Sequence, residues 1–310
     1  MAQLTPQEVL SHIQAGQSLA RAELSTINLQ GTHLNHAQFV DAYLRGAKLA
    51  QVSGRGANFS GATLILADLE RANLDLAQLN QTNLTQANLA QARLGRAQAL
   101  EARFYGAILD QVQANQALLD RANLQACQGP QARFKEASLW QADLRQANFS
   151  QASFQGSDLR RAQCQQATLA GVALVNANFE GANFQQAILM GANLSESLGF
   201  KANFQQADLT GMTARQAQLD WIEGGNASFV NADLTQASLF GATLEAARFT
   251  GANFAGADLR LANLERADLR EVCLVDCKVR GALFTQALGL TADQRRWLRS
   301  QGALNVSRDG

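Results

Sequence analysis

The pattern of residues in this chain returns every five positions for most of its length, a period that neither a helix nor a strand produces by itself. If the large apolar residue of each five is called the centre, the centres run Leu24, Leu29, Leu34 and onward to Phe284, 53 consecutive units. Leu or Phe fills 44 of the 53 centres, and Ala fills 40 of the 53 sites two residues earlier. One inserted residue would break the phase, so this span leaves no place for a linker or an internal domain boundary.

Two inward positions separated by one residue obey the period of an extended strand. The other residues of the five must then turn the chain before the next pair points inward, so each unit is a short side plus a corner. Small Ala beside large Leu or Phe fits successive layers into a narrow interior. Corner geometry accounts for the glycines at 31, 46, 56, 61, 181, 191 and 251, because glycine enters left-handed backbone without strain. Asn73, Asn88, Asp143, Asn148 and Asp208 stand directly before a centre, where a short polar side chain reaches nearby backbone.

The units ADLRQ, ANFSQ, ANLAQ and GANFAGADL resemble those of the pentapeptide-repeat family over about residues 22–288. The resemblance implies an all-β solenoid, a right-handed quadrilateral parallel β-helix with one coil per four units. On that count the 53 units make about 13 coils.

Open solenoid ends invite edge pairing and call for caps. Thr5, Pro6 and Glu8 read as an N-cap, a first-turn proline and a capping-box partner, opening a helix that Gly16 closes. Thr291 and Gln294 repeat the box before RRWLRSQ, with Gly302 as the stop. The expected division is an N-terminal capping helix over 1–21, the β-helix over 22–288 and a C-terminal capping helix and tail over 289–310. Trp297 and Leu298 are expected to cover the last coil. Homodimerisation through a terminal cap, a habit of some family members, is the alternative use of that helix.

With 26 basic and 26 acidic side chains, the formal charge is zero and long-range attraction to a polyanion is not expected. The start, MAQLTPQEVLSHIQAG, has no basic region followed by a long apolar run, and no segment approaches the roughly 20 apolar residues of a membrane span. A cytoplasmic location without membrane insertion is the expectation. Cys127, Cys164, Cys273 and Cys277 are too few and too irregular for a disulfide framework.

A filled interior leaves no evident pocket for chemistry, so no catalytic residue, cofactor or metal is expected. His33 precedes a centre and His36 lies at a corner, both outward positions, and His12 falls in the N-terminal cap. Cys273 and Cys277 lack zinc-site spacing and a second ligand pair; Cys127, Cys164 and Cys277 occupy inward sites as small apolar residues. Asn-x-Ser/Thr triplets, as at Asn58 and Asn83, follow from the repeat itself and carry no message about glycosylation.

Taking residues one and two places after each centre as the outward set, charges are mixed on every face: Arg145, Arg160 and Arg161 sit among Asp110, Asp120 and Glu136. The apolar outliers are more ordered. Val40, Leu100, Trp140, Phe200 and Phe240 share one remainder modulo 20, and the next position adds Trp221 and Leu261. An aromatic stripe is the expected mark of a protein contact. The competing reading is local packing, since Leu100 follows Ala99 and Phe200 follows Gly199, centres they would fill by swinging inward, and Gly224 offers Trp221 similar room. Two functions follow. One is a non-enzymatic, regulatory scaffold binding a protein partner through Trp140, Trp221, Phe240, Leu261, Phe200 and Leu100, without direct nucleic-acid contact. Its Ala/Gln-rich repeats are similar to cyanobacterial family members that regulate by contacting other proteins. The other is a DNA mimic that binds gyrase or topoisomerase, a family activity that requires dense negative charge.

Overall fold

The computed structural model describes residues 4 to 307, and its contacts divide the chain into two compact units, Met1–Asp158 and Leu159–Gly310. Within each unit the sides are parallel and pair twenty residues apart, from Glu23 with Tyr43 to Ser138 with Asp158 in the first, and from Gln163 with Asn183 to Asp268 with Leu288 in the second. Twenty residues are four repeats, so four sides close each coil.

One repeat shows why the pattern is stable. Every N–H of Ala67–Arg71 has a partner: Ala67 donates to Leu64 across the corner, Asp68 to Ala47 one coil earlier, Leu69 to Asn88 and Arg71 to Ala90 one coil later. Only the residue after the centre, Glu70, finds no carbonyl, and its N–H goes to Asp68 Oδ1 at 3.1 Å. An Asn or Asp before the centre therefore completes the repeat's hydrogen bonding. Asn73, Asn88, Asp143, Asn148 and Asp208 all accept from the N–H two residues on.

A second device serves the same N–H from the coil before. Asn80, Asn115 and Asp120, placed after their own centres, accept from Leu100, Lys135 and Trp140, twenty residues later. Asp110 stands at the equivalent place, but twenty residues on is Pro130, which has no N–H to give. Among the described residues Asp110 Oδ1 is buried without a partner, and burial pushes its carboxyl above the ordinary range.

Every fifth residue from Arg21 to Gln286 has positive φ, glycine or not: Gly31 at 68°, Gln146 at 59°, Thr26 at 60°. Left-handed backbone strains a branched side chain most. Thr26→Gly is accordingly expected to stabilise the chain by about 0.5 to 1 kcal/mol, the relief of strain exceeding the added chain entropy. The midpoint of urea unfolding reads this out.

The inward sites form the core. Phe39 stacks on Phe59, Phe134 on Phe154, Phe184 on Phe204 and Phe229 on Phe249, with centroids about 5 Å apart and planes within 10°, since residues twenty apart lie over one another. Where a centre is glycine, a neighbouring coil occupies its space: a Cβ on Gly199 would stand 2.2 Å from Phe179 Cε2 and 2.8 Å from Leu219 Cδ2.

Helix α1 covers Pro6–Gln14 and α2 covers Ala292–Ser300, each opened by a complete capping box, Thr5 with Glu8 and Thr291 with Gln294. Val9 of α1 and Leu298 of α2 are buried, and Trp297 is half-buried. After α2 the chain returns to the solenoid: Gly281 N donates to Gly302 O, and Leu304 N to Ala282 O. The C-terminal tail thus supplies one more rung. Among the described residues no helix is long and apolar enough to cross a membrane.

Candidate protein-contact surface

A corner of the solenoid presents two consecutive side chains per coil, at remainders 0 and 1 modulo 20 in the present case. In Leu159–Gly310 this corner carries Phe200 and Lys201, then Asp220 and Trp221, Phe240 and Gly241, Arg260 and Leu261. From Trp221 to Gly281 bulky and small residues alternate down the second column, and Trp221 and Leu261 use the room. A Cβ on Gly241 would lie 2.7 Å from Trp221 Cε3, and one on Gly281 would lie 2.8 Å from Leu261 Cδ2. The indole therefore rests on the next rung rather than entering the vacancy at Gly224, whose space is taken by Leu244 and Phe229.

Trp221 and Phe240 meet edge to face, with centroids 5.6 Å apart and planes at 79°. The Arg260 guanidinium lies 5.6 Å from the Phe240 ring and Lys201 Nζ lies 5.0 Å from that of Phe200, distances at which a cation is drawn to an aromatic face. Asp220 Oδ1 fixes the local backbone by accepting from Phe240 N at 3.2 Å and from the Ser238 hydroxyl. Trp221, Leu261 and Phe200 remain 46, 53 and 38 % exposed, whereas Phe240 is half-buried.

In Met1–Asp158 the equivalent register positions hold Leu100, 43 % exposed, and Trp140, half-buried beneath Arg121 at 5.0 Å. Leu100 and Phe200 do not swing inward to replace the missing side chains of Ala99 and Gly199. Around Gly199 the neighbouring coils already fill the space, and the Leu100 N–H is held in an outward corner. Asn80 Oδ1 accepts from Leu100 at 3.0 Å.

The residue before each centre also points outward, and the sequence reading did not search that position for apolar side chains. Leu198 lies at such a site, 41 % exposed, with Phe200 two residues on. An apolar residue where most repeats carry Asn, Asp or Gln was the available signal. Ile108, Leu118 and Ile188 are exposed at similar sites.

Part of the surface charge is neutralised at short range. Arg145, Arg260 and Arg270 reach back to Asp143, Asp258 and Asp268 two residues earlier, and Arg266 pairs with Glu245. The Arg270 guanidinium, with its own N–H and the Thr250 hydroxyl, holds Asp268 below the ordinary carboxylate range despite partial burial. A carboxyl lowered on folding contributes stability above its unfolded pKa, about 3.9, and loses it as pH falls through the lower folded value. Asp268→Asn should therefore lower the denaturation midpoint at pH 7, and the gap from the parent chain should close as pH falls through the lowered folded value.

The histidines take surface roles, His33 and His36 exposed and His12 Nδ1 2.7 Å from Glu8 O. Cys127, Cys164 and Cys277 are buried, and Cys273 is half-buried. Burial pushes the Cys127 and Cys277 thiols up to about 12, which makes them inert packing. Among the described residues no group of three or more His, Cys, Asp or Glu side chains gathers as metal ligands would.

Comparison with known proteins adds the following. The family description "Pentapeptide repeats" matches eight stretches that together span 22–112, 131–198 and 225–286. Among solved structures, HetL, a pentapeptide repeat protein involved in heterocyst differentiation regulation in the cyanobacterium Nostoc sp. PCC 7120, is 26% identical over 91% of this chain and 97% of its own, with a TM-score of 0.26. Rfr23 from the cyanobacterium Cyanothece 51142 is 26% identical over 31% of this chain and 63% of its own, with a TM-score of 0.26. QnrB1, a plasmid-mediated fluoroquinolone resistance protein, is 17% identical over 88% of this chain and 93% of its own, with a TM-score of 0.31. A search of curated proteins finds no match.

Proposed function

The chain belongs to the pentapeptide-repeat family, whose repeats imply a right-handed quadrilateral β-helix, and from that premise we propose that it is a non-enzymatic scaffold that binds a regulatory protein partner through the aromatic corner of Leu159–Gly310. The observation that carries this reading is the edge-to-face pair of Trp221 and Phe240, set beside exposed Phe200, Leu198 and Leu261. Trp and Phe held on the outside at adjoining rungs suit a protein contact, because aromatic anchors dominate protein interfaces. Among the described residues no disulfide joins the four cysteines, which suits the reducing cytoplasm as the place of action.

The alternative, mimicry of duplex DNA, needs a dense negative surface. Here the carboxylates of Asp143, Asp258 and Asp268 are each covered by an arginine of the same repeat, so the surface they offer is close to neutral.

The test is affinity capture from native lysate with the intact chain and with a Trp221→Ser, Phe240→Ser variant whose fold is verified by circular dichroism. A partner held by the intact chain is expected to bind the variant at least 30-fold more weakly, since one interface hot spot contributes about 2 kcal/mol or more. Equal retention, with reduced thermal stability of the variant, would return both rings to packing.

A further inference from the structure

One face of Met1–Asp158 gathers several arginines that nearby carboxylates cover only in part. Two adjoining depressions of about 300 and about 310 Å³ share Gln113 in their lining. Arg55, Arg93 and Arg96 line the first, Arg71 and Arg133 the second, and Asp75 is the sole carboxylate in either lining. Asp75 is already engaged, accepting from Arg93 Nη2 at 2.5 Å and Gly95 N at 2.9 Å.

The other guanidinium groups lack a strong carboxylate contact. Arg71 and Arg96 direct Nε to the glutamine oxygens of Gln91 and Gln116, at 2.9 and 2.7 Å. Arg55 and Arg133 make no side-chain hydrogen bond or ion pair among the described residues. Three carboxylates stand at the rim. Glu70 is 3.6 Å from Arg71, Glu136 is 3.6 Å from Lys135, and Asp110 adjoins Gln111 with its acidity reduced by burial.

We propose that this trough binds an acidic, extended peptide segment of a partner protein. Planar guanidinium groups match carboxylates in a bidentate fork, and clusters of them recognise acidic motifs. Arg93, Gln113 and Arg133 occupy one column by successive pairing, which sets the two arginines about 9.6 Å apart, close to three residues of a polyproline II chain, whose side chains return to the same face every third residue. Acidic side chains spaced by three would meet both, with the Gln113 amide between them facing peptide groups. Single-stranded nucleic acid is the poorer occupant, because no aromatic side chain lines the trough and bases are held by stacking. This inference stands independently of the aromatic corner.

The experiment is fluorescence-anisotropy titration of labelled heptaglutamate with the full chain, at low and at physiological salt, beside heptaglutamine and an unstructured oligonucleotide of equal charge. Saturable binding of heptaglutamate alone is expected, weakening with salt and at least 10-fold weaker in an Arg55→Gln, Arg96→Gln, Arg133→Gln variant of unchanged circular dichroism. An Arg145→Gln, Arg270→Gln variant, altered where arginine is paired locally, should bind within 2-fold of the parent. Absence of saturable binding, equal loss in both variants, or tighter binding of the oligonucleotide would overturn the proposal.

Discussion

Replacing Gly199 by leucine, the residue that most centres hold, is expected to destabilise the chain by about 2 to 3 kcal/mol. The position is a centre by register, yet its space is occupied: Phe179 Cε2 and Leu219 Cδ2 stand 2.2 and 2.8 Å from where a Cβ would lie. Phe179 is in turn held edge to face by Phe184 and Phe204, at 5.6 and 6.0 Å, so it cannot retreat without disturbing both. A close-packed interior forces strain on any added methylene. Phe179→Leu should restore most of the loss in the Gly199→Leu background while costing stability in the parent, giving a coupling of opposite sign to the single effects. Denaturant midpoints of the four chains measure it; a neutral Gly199→Leu would mean that Phe179 does not fill that centre.

The second large effect is Phe134→Ala, expected to cost about 3 to 5 kcal/mol. Phe134 stacks on Phe154 at 4.9 Å and meets Phe149 edge to face at 5.5 Å, and all three rings are buried. Removing the Phe134 ring leaves a cavity and strips two aromatic contacts together. Phe149 already leans into the space above Gly129, where a Cβ would be 2.5 Å from its Cε1, so it has no second vacancy to adopt. Trp140→Ser, six residues away but outside the solenoid wall, should cost less than about 1 kcal/mol, as surface changes do. Equal losses for the two would place Trp140 in the core.

Much of the fold was legible because one residue pair, Ala and Leu or Phe two apart, recurs in unbroken phase, and both capping boxes are spelled in the sequence. The period of five said nothing of the number of sides; pairing of residue 23 with 43 and its successors supplies the four. The surface was less legible for a geometric reason. Residues before the centre lie flat on each side and face outward, so Leu198, Arg93 and Arg133 belong to the surface that the corner positions alone do not capture. What fills a vacant centre was hidden for a related reason. A side chain twenty residues away, invisible as a neighbour in the sequence, fills Gly199 before Phe200 can.

Pairing at an interval of twenty also bears on how such a chain changes length over generations. A duplication or loss of twenty residues returns every inward side chain, every corner and every Asn or Asp acceptor to an equivalent place, whereas five or ten residues would rotate the following sides by one or two quarters of a turn. Unequal recombination within the gene is therefore filtered toward whole coils. Each accepted event moves a recognition surface by one 4.8 Å step without rebuilding it, so partner geometry and chain length evolve on the same ruler.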